Sequence, residues 1–143
     1  MKAITIWQPW ADLIITGSKH YETRSRPTNY RGEIAIHAAK FHAIPHSVYA
    51  EIAEAIGIEH YEKSSLHAAE IGSPVIPFGA IIGTVYLSDC VKVEAVRGDL
   101  AKKELALGDY SDGRYAWRLT HPVIFEHPIP IRGKQGLWEA PVK

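Results

Sequence analysis

The chain has one cysteine, Cys90, in 143 residues, which excludes an internal disulfide and a cysteine-built metal cluster. It has no net charge either, since 16 Lys and Arg balance 16 Asp and Glu. That balance argues against a protein that coats polyanions over its whole surface. No apolar run approaches the roughly 20 residues that a bilayer helix requires. The opening Met1-Lys2-Ala3-Ile4-Thr5-Ile6 alternates like an amphipathic strand and lacks the charged start and apolar core of a secretion signal. A cytoplasmic protein with no membrane partner is the expectation. Repeats and low-complexity segments are absent, as are a glycine-rich phosphate loop and a serine-hydrolase elbow. The eight histidines show no zinc spacing and Cys90 has no base beside it in sequence. No metal, cofactor or cysteine nucleophile is therefore expected.

What is present reads as one globular domain spanning 1–143. Hydrophobic residues make up 46% and charged residues 22%, near ordinary globular values and far from those of a disordered chain. The charges are unevenly placed. Between Lys19 and Lys40 five cations (Lys19, Arg24, Arg26, Arg31 and Lys40) face Glu22 and Glu33, a local net of +3. From His42 to Val75, Glu51, Glu54, Glu59, Glu62 and Glu70 face Lys63, a local net of −4. A basic site beside an acidic helical flank suits a locally gripped anion better than long duplex DNA; two ordinary solvated faces would give the same pattern.

Alternation predicts a first strand over Lys2–Trp7. Pro9 then suits the start of a helix, where its missing N–H is harmless. Trp10, Leu13, Ile14 and Gly17 follow at helical spacing, with Gly17 as the stop. His20–Arg24 reads as extended, Arg26–Asn29 as a turn and Gly32–Ala38 as a second strand. The stripe of Val48, Ile52, Ala55 and Ile56 predicts a helix from near Ser47 to Gly57, and Ser64–Glu70 a further turn or two. Gly72-Ser73-Pro74 and Pro77-Phe78-Gly79 bracket a loop before a strand at Ala80–Leu87, which Asp89–Glu94 continues or pairs with. A short helix is expected over Asp99–Leu107, then strands at Arg114–Leu119 and Val123–Phe125. Pro128 and Pro130 restrict the next strand to an edge, and Gln135–Glu139 closes the chain. Strands outnumber helices and connect mostly without βαβ crossovers, so the reading is a small barrel with peripheral helices.

Lys19, Glu22 and Arg24 are the first chemical candidates. Residues 22 and 24 of an extended segment project from one face and Thr23 from the other. A partly buried lysine beside a carboxylate can hold an anion or shuttle a proton; the same spacing also makes a silent surface ion-pair ladder worth ~0–1 kcal/mol. Trp7, Trp10, Trp117, Trp138 and Tyr21, Tyr30, Tyr61, Tyr115 supply rings. Most of them are needed for the core, but any exposed one can stack a base at about 1–3 kcal/mol. His37 ends an apolar strand, placed to bond a ligand or a backbone carbonyl.

These residues together resemble a family. Gln8-Pro9-Trp10-Ala11, Gly17-x-Lys19, Glu22-x-Arg24, Arg31-Gly32, Ile36-His37-Ala38, Gly79-Ala80-Ile81-Ile82-Gly83, Tyr115-Ala116-Trp117 and Gly136-Leu137-Trp138 look like the ASCH domain, the activating-signal-cointegrator homology domain of the PUA-like superfamily. The likeness spans nearly the whole chain. It implies an α+β fold, a PUA-like mixed β-barrel with flanking short helices, and a cleft beside the first helix that takes RNA, DNA or a modified nucleoside. One bacterial branch of the family removes the acyl group from N4-acetylcytidine with a Lys, a Thr three residues later and a distant Glu. Lys19 matches the lysine, but Glu22 stands where the threonine would be, Thr23 is adjacent, and Asp89 and Glu94 are the candidates for the distant carboxylate.

Fold alone does not settle activity, so three readings are carried. The first is binding of RNA or a nucleotide-like ligand. Lys19, Arg24, Arg31 and Lys40 contact phosphate or base edges, Trp7, Trp10 and Tyr30 shape or stack, His37 lines the mouth, and Glu22 reads an exocyclic amine or orients Lys19. The second is a metal-independent amidohydrolase on N4-acylated cytidine or another modified nucleoside, with Glu22 activating water and Lys19 steering it or stabilising the oxyanion. A ribonuclease using His37 and Lys19 is a variant of this class. The third is a module whose aromatic cleft holds a peptide of a protein partner.

Overall fold

A computed structural model describes residues 1–71 and 76–142; the expected turn at Gly72-Ser73-Pro74 lies outside them. The alternating Lys2–Ile6 forms β1, and α1 follows directly at Trp10–Ile15. Gly17, at φ +85°, ends α1 in a conformation that favours glycine. The chain then runs through β2 (Tyr21–Arg24) and β3 (Gly32–Ala38). Three helices follow, α2 (His46–Ile56), α3 (Ile58–Glu62) and α4 (Ser65–Glu70), the last capped by the Ser64 hydroxyl, which accepts the His67 N–H. Strand β4 (Ala80–Lys92) leads to α5 (Val93–Val96), a 3-10 turn (Arg97–Asp99) and α6 (Lys102–Ala106). Strands β5 (Tyr115–Pro130) and β6 (Leu137–Glu139) complete the set.

The fold is α+β, with a curled six-stranded sheet as an open barrel and short helices around it. Strand order is β2-β5-β4-β3-β1-β6. β1 and β3 are parallel neighbours, a crossover within an otherwise antiparallel sheet. Several expected boundaries shift. Asp89–Lys92 continues β4, but Val93 and Glu94 turn into α5. The helix expected over Asp99–Leu107 divides into the 3-10 turn and α6. The strands expected at Arg114–Leu119 and Val123–Phe125 are one long β5, bent where His121 takes φ 52° and where its register with β4 shifts. The proline-bearing half of β5 pairs with β4 alone, because β2 reaches only Tyr115–Arg118. Pro128 and Pro130 thus sit on an edge, where a missing N–H breaks no ladder.

Helix α1 holds two cores together. Ile14 and Ile15 pack onto the sheet with Ile4, Ile36, Val85 and Trp117. Leu13, one residue away, belongs to a second cluster with Ile52, Tyr61, Leu66 and Leu107 beneath the outer helices. Each such buried aliphatic stabilises by about 1.5–3 kcal/mol. The short α1 is thereby fixed against both layers, and so are the residues it delivers at its two ends, Trp7–Trp10 and Lys19.

A candidate nucleic-acid cleft at the open seam of the barrel

Because the sheet curls without closing, its two ends face each other. β2 ends one side of the strand order and β1–β6 the other, and a cleft of about 1740 Å³ occupies the seam. One wall is the edge strand β2 with the following turn, contributing Glu22, Thr23, Arg24 and Arg26. The other is the end of β1 with residues 131–137, contributing Thr5, Trp7, Arg132 and Lys134. The chain leaving β3 adds Lys40, Phe41 and His42 at the rim, and Arg114 enters from the start of β5. Arg24 spans the seam: its Nη2 donates to the Thr5 carbonyl at 2.8 Å, and its Nε to Glu22 Oε2 at 3.0 Å. Arg114 Nη2 donates to the Thr23 carbonyl at 2.9 Å. These two guanidiniums serve edge backbone groups that no neighbouring strand reaches.

The charge of this cleft is one-sided. Six cations (Arg24, Arg26, Lys40, Arg114, Arg132 and Lys134) line it, against the single carboxylate of Glu22. Aromatic surface stands at its lip. Trp7 is 62% and Phe41 73% exposed. Trp7 rests on the His42 ring at 4.6 Å, and Phe78 sits edge-on to both His42 and Phe41. The His42 ring is held in turn by a 2.9 Å hydrogen bond from Nε2 to the Gln8 carbonyl. The indole of Trp7 is therefore backed by a fixed platform while its outer face is open.

His37 forms part of the cleft floor but is almost wholly buried. Its Nε2 donates to the Ile131 carbonyl at 2.7 Å, and its ring meets Trp138 edge-on. A Cβ on Gly133 would lie 2.6 Å from His37 Nδ1 and from Thr5 Oγ1. Only glycine lets residues 131–136 lie this close over the floor.

Beside the cleft is a smaller pocket of about 360 Å³. Trp10, Glu22 and Thr23 border both spaces. Thr23 reaches the cleft despite strand alternation, because the free edge of β2 forms the wall. The pocket's far side is Lys19 and residues 106–109. Lys19 is 3% exposed, and its Nζ donates to the Leu107 carbonyl at 2.8 Å. Burial pushes its pKa below 10.5, partly offset by the nearby charges of Glu22 and Glu104. Glu104, also buried, accepts the His20 N–H and bonds the His20 ring at 3.0 Å.

The lowered Lys19 pKa has a consequence for stability. Between that value and 10.5 the unfolded chain binds more protons than the folded one, so this group makes folding more favourable as pH rises through the interval. The destabilisation is full below the folded pKa. Lys19→Met is expected to remove this part of the pH slope, read by urea denaturation at stepped alkaline pH. Equal slopes in the two proteins would show that the lysine titrates normally.

Of the residues singled out in the sequence, Trp7, Trp10, Glu22, Arg24, His37 and Lys40 come together around the cleft, and Lys19 lies in the adjoining pocket. Tyr30 and Arg31 do not line either space. Tyr30 packs against the sheet core and donates to the Glu33 carbonyl, and Arg31 bonds the Thr28 and Tyr30 carbonyls with Asp89 at 3.7 Å. Asp89 and Glu94 are also outside both, Glu94 accepting the Gly113 N–H. Arg26, Arg114, Arg132, Lys134, Phe41 and His42 were not among the candidates. The run Arg132-Gly133-Lys134 beside Gly136 was a usable signal; Arg114 had none.

The ASCH domain family model matches residues 4–129, most of the chain. The protein belongs to the ASCH family. Activating signal cointegrator 1 of Homo sapiens and that of Mus musculus are each 25% identical over 137 residues, 95% of this chain. The match takes in only 22% of their length, so the chain corresponds to about a fifth of those relatives. The crystal structure of ASCH from Zymomonas mobilis superposes with a TM-score of 0.52 at 20% identity, over 90% of this chain and 72% of that one. This likeness supports the fold. Among the described residues no helix is long and apolar enough to cross a membrane.

Proposed function

We propose that this protein binds single-stranded RNA, or a nucleotide-like fragment of it, in the seam cleft. The observation that carries the reading is the gathering of six cations and one carboxylate in one cleft of a chain whose charges otherwise cancel. Four of those cations, Arg26, Lys40, Arg132 and Lys134, are exposed and have no carboxylate within 4.0 Å among the described residues. They are free to meet phosphates. Arg24 and Arg114 are committed to backbone and carboxylate partners. Single strands fit better than duplex because Trp7 and Phe41 can stack only on exposed base faces.

Four phosphate contacts set the expected salt dependence. The logarithm of affinity for a short single-stranded RNA should fall against the logarithm of salt with a slope of about −3. Fluorescence anisotropy over a salt series measures it, and an affinity indifferent to salt would remove phosphates from the account. Trp7→Ala is expected to weaken the same binding by about 1–3 kcal/mol. Its ring is mostly exposed, so stability should stay within about 0.5 kcal/mol of the parent.

A second reading has its own support in the burial of Lys19 beside Glu22, a lysine with a lowered pKa in a pocket. In it Glu22 activates water and Lys19 stabilises the oxyanion during hydrolysis of an N4-acylated cytidine. Metal-stripped protein is incubated with N4-acetylcytidine and cytidine is followed by chromatography. Turnover lost in Lys19→Ala supports hydrolysis, and an inert parent protein ends it.

A further inference from the structure

The wall of the cleft that carries Arg132 and Lys134 is secured at its two ends. Ile131 donates its N–H to the Gly79 carbonyl at 3.1 Å, and its own carbonyl accepts from His37 Nε2 at 2.7 Å. Leu137 pairs with Ile4 of β1. Between these anchors, residues 132–135 make no hydrogen bond and no ion pair among the described residues. All of them but Gly133 are exposed. A segment with few buried contacts and no hydrogen bonds of its own opens at low cost.

Two effects oppose the seated position of this segment. The first lies beneath it. His37 is 1% exposed, and with its Nε2–H committed to Ile131, Nδ1 is an acceptor that no donor reaches among the described residues. Gly133 covers it, since a Cβ on that residue would lie 2.6 Å from Nδ1. A buried acceptor without a partner is unfavourable, and lifting the segment lets water supply the donor. The second effect is charge. When seated, Arg132 and Lys134 join Arg24, Arg26, Lys40 and Arg114 around one cleft, with Glu22 as the carboxylate among the lining residues. These cations repel one another. Phosphates lying among them turn that repulsion into attraction.

We propose that residues 132–135 form a strap that lifts off His37 in the free protein and is seated by the phosphates of a bound single strand, so that the cleft closes on its ligand. This rests on the RNA-binding reading above and deepens it. The lone pair of His37 Nδ1 makes the motion measurable. Diethyl pyrocarbonate acylates an unprotonated imidazole nitrogen, and it reaches this one only when the strap is raised. Mass spectrometry of the digested protein reads His37 against His127, whose side chain is 89% exposed and serves as the internal reference. In the free protein at low salt, His37 should react more slowly than His127 but faster than the β3 amides exchange with deuterium. Added salt should slow it relative to His127, because screening weakens the repulsion that lifts the strap. Saturating oligouridine at low salt should slow it by at least about tenfold, since the phosphate contacts of Arg132 and Lys134 are made only by the seated strap. Gly133→Ala, whose Cβ would collide with the ring, should react fast with or without oligouridine.

The outcomes separate the two claims. Oligouridine that binds by fluorescence anisotropy yet leaves the His37 rate unchanged overturns the closure and leaves RNA binding standing. So does a His37 rate no faster than β3 exchange, because the ring is then reached only when the sheet itself opens. No measurable binding of oligouridine overturns the RNA reading and the closure with it. A Gly133→Ala protein whose His37 reacts as slowly as the parent's shows that the strap is not what covers the ring. The first three readings need only the parent protein, so they stand even if the variant fails to fold.

Discussion

Arg132→Glu with Lys134→Glu is expected to weaken single-stranded RNA binding by at least about 100-fold near physiological salt. Hydrogen bonds to charged groups contribute about 1.5–3 kcal/mol each, and two are lost here, so the loss reaches about 3 kcal/mol before any repulsion from the new carboxylates. The salt slope should fall by about half, since two of four phosphate contacts go. Both residues are exposed and have no carboxylate partner among the described residues, so folding should change by no more than about 0.5 kcal/mol. The matched control is Lys63→Glu with Lys92→Glu. It alters net charge equally at exposed positions outside the cleft and should leave affinity within about threefold of the parent. Equal losses in the two double variants would mean that only overall charge matters and that the seam is not the binding site.

That the cations lining the candidate cleft include Arg132 and Lys134 explains why only half of that cleft was legible in the sequence. Trp7, Trp10, Glu22, Arg24, His37 and Lys40 lie close in the chain, and local periodicity and turn signals place them on α1, β2 and β3 or just past the ends of β1 and β3. Their gathering could be read because adjacent elements are adjacent in space. Arg114, Arg132 and Lys134 arrive from the other end of the chain, and only the curl of a six-stranded sheet brings them across the seam. No local pattern encodes a curl. Arg31 shows the converse: it belongs to the same basic run as Arg24 but pairs near Asp89 on β4, because the chain has turned away by then. The boundaries of β4 and β5 were hidden for a related reason. Thr120-His121-Pro122 carries the composition of a turn, and the register shifts with β4 let the strand bend there and continue.

Gly83→Ala is the substitution expected to damage the fold most, and the reason joins the core to the site. Gly83 lies in β4, in register with Ile36 on one side and Ile124 on the other, beside a register shift. A Cβ there would lie 2.2 Å from the Val123 carbonyl oxygen and 2.5 Å from Ile15 Cδ1. The first contact is backbone, in a strand that is itself paired, and cannot swing aside. The second is the last residue of α1. Relief requires the β4–β5 ladder to give way at Val123 and the Ile15 side chain to move, and overpacking of this kind typically costs about 1–3 kcal/mol and occasionally more. With a paired backbone oxygen as the nearest neighbour, about 3 kcal/mol is expected, read as a lowered urea midpoint at unchanged m. Gly98→Ala supplies the contrast. Nothing lies within 4 Å of its would-be Cβ, so stability should stay within about 0.5 kcal/mol. Because α1 carries Trp10 at one end and leads to Lys19 at the other, whatever Gly83→Ala molecules remain folded should also bind RNA more weakly. A variant as stable as the parent would show that the β4–β5 ladder and Ile15 do not close on Gly83.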